Sequence, residues 1–129
     1  MGEKEAAFLN WLTLNGAKFP KLKWPSNETK SGIRGVVALE SIDTNECMME
    51  IPSHLMMCEP NFGIDSRIGQ IIRDNESILP GDLPLCVFIM HEIGKDVESF
   101  YFPYLTIVPK QTDSILEWSI KDRNFLQVL

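Results

Sequence analysis

The stretch GIRGVVALESIDTNECMMEIPSHL, Gly32 to Leu55, decides the fold of this chain. Gly32 and Gly35 bracket Ile33 and Arg34, so main chain can come close to a neighbour there without a Cβ in the way. The apolar run over 35–41 predicts a short strand, and 47–51 predicts a second. Between them Asp43-Thr44-Asn45-Glu46 has turn chemistry. Pro52 stops the second strand because it brings no N–H to a ladder. A third extended piece is expected over 54–58. The stretch holds no nucleophile–base pair and no metal-ligating set. It therefore serves by binding, through main-chain groups, with any reacting groups elsewhere.

Outward from this stretch the pattern turns helical. Phe8, Leu9, Trp11 and Leu12 share one face of a helix over 6–14, and Asn15-Gly16 supplies its stop. Residues 18–30 carry Pro20, Pro25, Ser26, Asn27 and Thr29 and read as an irregular connection. Its Lys18, Lys21, Lys23 and Lys30 stand among Phe19, Leu22 and Trp24, as a solvated loop or a weak anionic contact. Beyond the hairpin, Ile64, Ile68, Ile71 and Ile72 mark an amphipathic helix ending near Asn75, and 77–84 is a turn-rich link. The run Leu85, Cys86, Val87, Phe88, Ile89, Met90 and Ile93 reads as a buried helix, opened by Asp82 and Pro84 and stopped by Gly94. So apolar a run is also compatible with a strand. Residues 100–105 form an aromatic knot before Pro109. Ser119-x-x-Asp122 resembles a capping box for a last helix with Ile120, Phe125, Leu126 and Leu129 apolar. That helix carries no C-terminal cap before Leu129, as expected of a fragment cut inside a domain.

Composition limits the function classes. The 129 residues suffice for one domain or part of one, and 44% hydrophobic content is ordinary for a globular core. A net charge of −6 disfavours non-specific nucleic-acid binding, which depends on neutralising phosphates. The cysteines, Cys47, Cys58 and Cys86, are odd in number, and Cys47 and Cys86 lie in apolar runs as small core residues of a reducing compartment. No segment reaches the roughly 18 apolar residues of a membrane span. The start lacks a signal-peptide apolar region, and Ala6 spoils a Met1-Gly2 myristoylation site. A cytoplasmic or nuclear protein without nucleic-acid or membrane partners is the expectation.

Side-chain chemistry is sparse. His54 and His91 stand far apart in sequence without a ligand-spaced partner, so a loop role and a structural or surface role are their plain readings. No zinc-type spacing occurs, and no metal is expected. Glu40 and Glu50 can face each other across the predicted hairpin, most simply as a solvated pair. Glu92 closes the apolar helix, where its charge either meets solvent or pairs with Arg or Lys.

The segment Gly35-Val36-Val37-Ala38-Leu39-Glu40-Ser41-Ile42, followed by Asn45-Glu46 and by Met49-Glu50-Ile51-Pro52-Ser53-His54-Leu55, resembles the opening of the SET domain of protein methyltransferases. The succession around it narrows the match. A helix of the pattern F-L-x-W-L-x-x-N-G-A precedes, as Phe8 to Ala17. A helix ending in Glu92 follows, then Ser99 to Pro109, then Trp118 and Leu126-Gln127. This order is similar to the Rubisco large-subunit methyltransferase-like branch, whose members modify lysine or, in one subgroup, a histidine of actin. The resemblance implies an α+β fold: the N-terminal part of a SET domain, with a small hairpin or sheet, then a mostly helical insert. The implied divisions are 1–28 for the N-terminal helix and connection, 29–62 for the β-rich SET segment, and 63–129 for the start of the insert.

The same resemblance implies S-adenosylmethionine as cofactor, held by main chain at Gly32, Ile33, Arg34 and Gly35. The chain departs from the family's G-x-G triplet, because its first glycine falls on Ile33 and only Gly35 keeps the second. The family's later Asn-His motif does not occur in these residues, and Tyr101 and Tyr104 match a packing position instead of the catalytic tyrosine. No catalytic residue is therefore assigned. The implied activity is that of a protein-lysine methyltransferase whose N-terminal fragment is inactive alone and takes an unidentified protein substrate. The other reading is a non-catalytic interaction module derived from the same fold. In either case an isolated half exposes apolar surface and is expected to self-associate.

Overall fold

A computed structural model describes residues 2–26, 35–63, 66–110, 114 and 117–125. It is α+β, a two-stranded antiparallel sheet followed by helices. The elements are α1 (Glu3–Leu14), β1 (Leu22–Ser26), β2 (Gly35–Ala38), α2 (Glu59–Phe62), α3 (Ser66–Asp74), α4 (Leu83–Lys95), α5 (Phe102–Leu105) and α6 (Ile120–Phe125). Tight 3-10 turns at Ser53–Leu55, Glu76–Ile78 and Asp96–Glu98 punctuate them.

The helix ends follow local chemistry. Asn15 caps α1, its side-chain amide donating to the Trp11 carbonyl at 2.8 Å. Gly16 then takes φ +88°, a conformation that side chains disfavour. Asp82 and Pro84 open α4 as expected. Ser119 accepts from the Asp122 N–H at 3.2 Å and donates to its carboxylate at 2.6 Å, so the start of α6 is capped.

The sheet is where local reading fails. Residues 18–30 are not simply an irregular connection, because 22–26 form β1 and pair with β2 in the register Leu22↔Ala38, Lys23↔Val37 and Ser26↔Gly35. The ladder is irregular between Lys23 and Ser26, where Trp24–Pro25 is a cis peptide. Pro25 argues against a strand in sequence, yet the outer strand of a two-stranded ribbon tolerates a missing N–H. Residues 47–51 do not pair with β2. They meet the chain through one bridge, Lys18↔Glu50, with N–H···O distances of 2.9 and 2.8 Å. The turn itself forms: Glu46 N–H donates to the Asp43 carbonyl at 3.1 Å, Asp43 N–H donates to the Glu46 carboxylate at 2.9 Å, and Asn45 has φ +68°. It leads into a loop instead of closing a hairpin. The extended piece expected over 54–58 is replaced at its start by the Ser53–Leu55 turn after Pro52.

The core lies in the helical part. Phe62 from α2, Ile68 and Ile72 from α3, Phe88 from α4 and Tyr101 are all buried, with Trp11, Met57, Leu85 and Leu105 packed around them. Phe62 and Phe88 stack at 4.6 Å between centroids, and Tyr101 meets Phe88 edge-on at 5.8 Å. A Cβ at Gly69 would lie 2.6 Å from the Phe62 carbonyl oxygen, so the close approach of α3 to α2 needs glycine there. Two expectations fail here. Cys47 and Cys86 are exposed, not core residues. And α4 is not buried all round: Phe88 and Glu92 face inward, while Met90 and Ile93 are exposed. A short apolar run announces helix or strand, but its neighbours decide how many faces are covered.

Candidate functional site

Three of the four expected cofactor residues, Gly32, Ile33 and Arg34, lie outside the described residues. Gly35 is described. It begins β2 opposite the buried Ser26, so residues 27–34 link the paired ends of the two strands. The structure therefore anchors the glycine stretch on one side by a ladder, a feature that the sequence reading assigned to a different strand.

Lys21 ties this sheet to the segment that leaves β2. Its ammonium meets the Glu46 carboxylate at 2.6 Å and donates to the Ser41 carbonyl at 3.0 Å. Leu39 N–H donates to the Lys21 carbonyl at 2.8 Å. The hydrogen bond between the two side chains raises the Lys21 pKa and, with the Asp43 amide, lowers that of Glu46. Of the expected lysine cluster, Lys18 likewise pairs with Glu50 at 3.1 Å. Glu50 thus faces a cation across the bridge, not Glu40. Around this frame Val36, Leu39, Met48 and Met49 are exposed.

The second polar constellation sits in the helical core. Glu92 is only 2% exposed. One carboxylate oxygen meets the Lys95 ammonium at 2.8 Å, and the other accepts from the Ser99 hydroxyl at 2.6 Å. Ser99 Oγ in turn accepts from the Tyr101 N–H at 3.1 Å. The Tyr101 phenol reaches the carbonyls of His54 and Met56 at 3.5 Å each. Burial raises the Tyr101 pKa, and the negative charge of Glu92 adds to the effect. A cleft of about 330 Å³ runs beside this network, walled by His54, Asn61, Phe88, Phe100 and Tyr101.

The network is a clamp. It ties the last turn of α4 to the Asp96–Glu98 turn and, through Tyr101, to the Ser53–Leu55 turn. With both oxygens engaged, Glu92 is arranged to stay put and not to exchange a proton with a bound molecule. Of the two readings open in sequence, pairing with a lysine is the one that forms, though inside the core. The spacing Glu92, Lys95, Ser99 was the available signal: a carboxylate on the inner face, with a cation one turn on and a hydroxyl two turns on. His54 stands in the cleft wall, 6.5 Å from the Phe100 ring, and His91 lies elsewhere on α4. Tyr104 packs at 6.0 Å on Phe8, in keeping with a packing role. No group of three metal-ligating side chains occurs among the described residues.

The described residues of β1 and β2 line none of four clefts, which lie instead among the helices and the 53–63 segment. They do not by themselves enclose a nucleoside-sized pocket. What they offer is a strand end that fixes where the glycine stretch begins and ends.

Over 120 residues, 93% of its length, the chain is 28% identical to the ribulose-1,5-bisphosphate carboxylase/oxygenase large subunit N-methyltransferase of Pisum sativum. It is 25% identical over the same share to the Nicotiana tabacum protein of that name. It is also 25% identical over 99 residues to Protein SET DOMAIN GROUP 40 of Arabidopsis thaliana. The chain spans 20–23% of the length of these curated relatives. No family model matches it. No solved structure matches it significantly. Across most of its residues, this α+β chain is thus a relative of the SET-domain methyltransferases.

Proposed function

We propose that this chain supplies the N-terminal part of an S-adenosylmethionine-dependent protein-lysine N-methyltransferase, with the glycine stretch Gly32–Gly35 forming one wall of the cofactor site. The observation that carries the reading is the kinship over 93% of the chain, joined to a glycine stretch that runs straight into a paired strand. When bound, the cofactor supplies an activated methyl group. The residues here hold and orient: β1 and β2 fix the ends of the stretch, its amides face the cofactor, and Arg34 is placed to meet a carboxylate. Orientation is most of what such a displacement asks of a protein, since the acceptor amine must be aligned with the methyl group and water kept away.

On this reading the chain alone binds the cofactor weakly or not at all, because the Asn-His pair and the tyrosine of the family pattern do not occur in it. The substrate is a protein. The test uses tritiated S-adenosylmethionine with this chain and with a protein in which it is continued to its relatives' length, against a panel of candidate protein substrates. Transfer to protein only by the longer form, weakened by Arg34→Ala and abolished by Gly35→Val, is the expected result. No binding and no transfer by the longer form would overturn the reading and favour a non-catalytic interaction module.

A further inference from the structure

Helix α4 carries a second, unused face. Leu83, Cys86, Met90 and Ile93 follow one another at spacings of 3, 4 and 3 residues, and Val97 continues the series just beyond the helix. All five are exposed, Met90 at 72% and Ile93 at 59%. This is the seam spacing of a helix that packs against another helix. It lies opposite Phe88 and Glu92, the two residues by which α4 is buried in its own core. No charged residue occurs from Leu83 to Met90. A helix that is apolar on both sides is normally covered on both.

The charges around the seam select the occupant. Asp82 stands at its N-terminal end, Asp96 and Glu98 at its C-terminal end, and all three are exposed. Among the described residues none of the three side chains has a hydrogen-bonding or ionic partner. Asp82 suits a helix N-terminus, but Asp96 and Glu98 oppose the partial negative charge of the C-terminus. A second copy packed along this seam, parallel or antiparallel, would set acid against acid at both ends. A partner helix with basic ends meets complementary charge at both, and relieves the unfavourable end of the α4 dipole.

We propose that the outer face of α4 docks an amphipathic helix whose apolar stripe is bracketed by lysine or arginine. The seam along 13 residues is ~20 Å long, so the basic residues should stand about four turns apart. This surface is independent of the cofactor reading and lies on the side of α4 away from the Glu92 clamp.

The test uses two synthetic helical peptides with the same leucine stripe, one ended by lysines and one by glutamates, titrated by fluorescence anisotropy against the 129-residue chain. The lysine-ended peptide should bind about tenfold more tightly, and the preference should shrink in high salt. Met90→Lys should abolish binding without changing the far-ultraviolet dichroism or the melting temperature, since Met90 makes little contact with its own core. Asp96→Lys with Glu98→Lys should reduce or reverse the preference. Equal binding of the two peptides, or binding of neither, would overturn the proposal. So would a concentration-dependent dimer in sedimentation that Met90→Lys dissolves, because a second copy would then be the occupant.

Discussion

The helical region from α2 to α5 and the strand region from Lys18 to Glu50 are held together by different forces. The first buries Phe62, Ile68, Ile72, Phe88 and Tyr101 against one another, with rings stacked and edge-on. The second is a two-stranded ribbon whose cross-links are surface ion pairs, Lys18–Glu50 and Lys21–Glu46, while Val36, Leu39, Met48 and Met49 stay exposed. Two strands alone are marginal in water, since they bury too little to offset the entropy of ordering them. The difference shows where stability resides and where the molecule is open to further structure: the helices form a core, and the ribbon is an edge that holds the glycine stretch.

The comparison can be broken most decisively at Phe88. Phe88→Ala should cost about 3–5 kcal/mol in guanidinium unfolding, because the ring fills the centre of the helical core. If the cost is far smaller, the core is not where stability resides. Glu92→Gln comes next. It keeps the shape and the bond with Ser99 but leaves Lys95 without its carboxylate, and should cost about 1.5–3 kcal/mol in the same measurement. The ammonium is partly exposed and can turn to water, which limits the loss.

Tyr101→Phe should cost only about 0.5–1 kcal/mol at neutral pH, since the phenol's two contacts are long. Its signature is alkaline. The folded-state pKa of Tyr101 is raised, so the unfolded chain releases this proton first. Stability should therefore fall as pH rises above the ordinary tyrosine value, and Tyr101→Phe should flatten that slope in denaturant melts.

The smallest effect belongs to the ribbon. Glu46 has a lowered pKa, so its contribution is present above the ordinary glutamate value and is lost as pH falls through the folded one. Lys21 has a raised pKa, so its contribution is present below the ordinary lysine value and is lost as pH rises through the folded one. Between those limits Lys21→Met should leave global unfolding unchanged within error. It should still speed amide exchange at Leu39 and Glu46, by an amount that high salt reduces. A shift in the global midpoint would mean that the ribbon and the helices unfold as one unit.

The candidate site was only partly legible. Gly35 was recognised as the root of a binding loop, but the strand that anchors it was assigned to 47–51 when it is Leu22–Ser26. Pro25 disguised that strand, and alternation over four or five residues says nothing about which partner a strand will choose. The Glu92 clamp was visible as an odd charge in an apolar helix, without the burial that defines it.

By itself the amino-acid sequence determined the features governed by near neighbours: the Asn15-Gly16 end of α1, the amphipathic α3, the Asp82–Pro84 start of α4, the Asp43–Glu46 turn and the cap at Ser119–Asp122. Each depends on hydrogen bonds or steric limits within about four residues. Tertiary structure alone decided that β1 pairs with β2, that Glu92 is enclosed with Lys95 and Ser99, and that Met90 and Ile93 look outward. Those outcomes depend on groups distant in the chain, which compete for a limited amount of shared interior. An apolar side chain carries the same affinity for that interior wherever it stands, and packing chooses which of them enter.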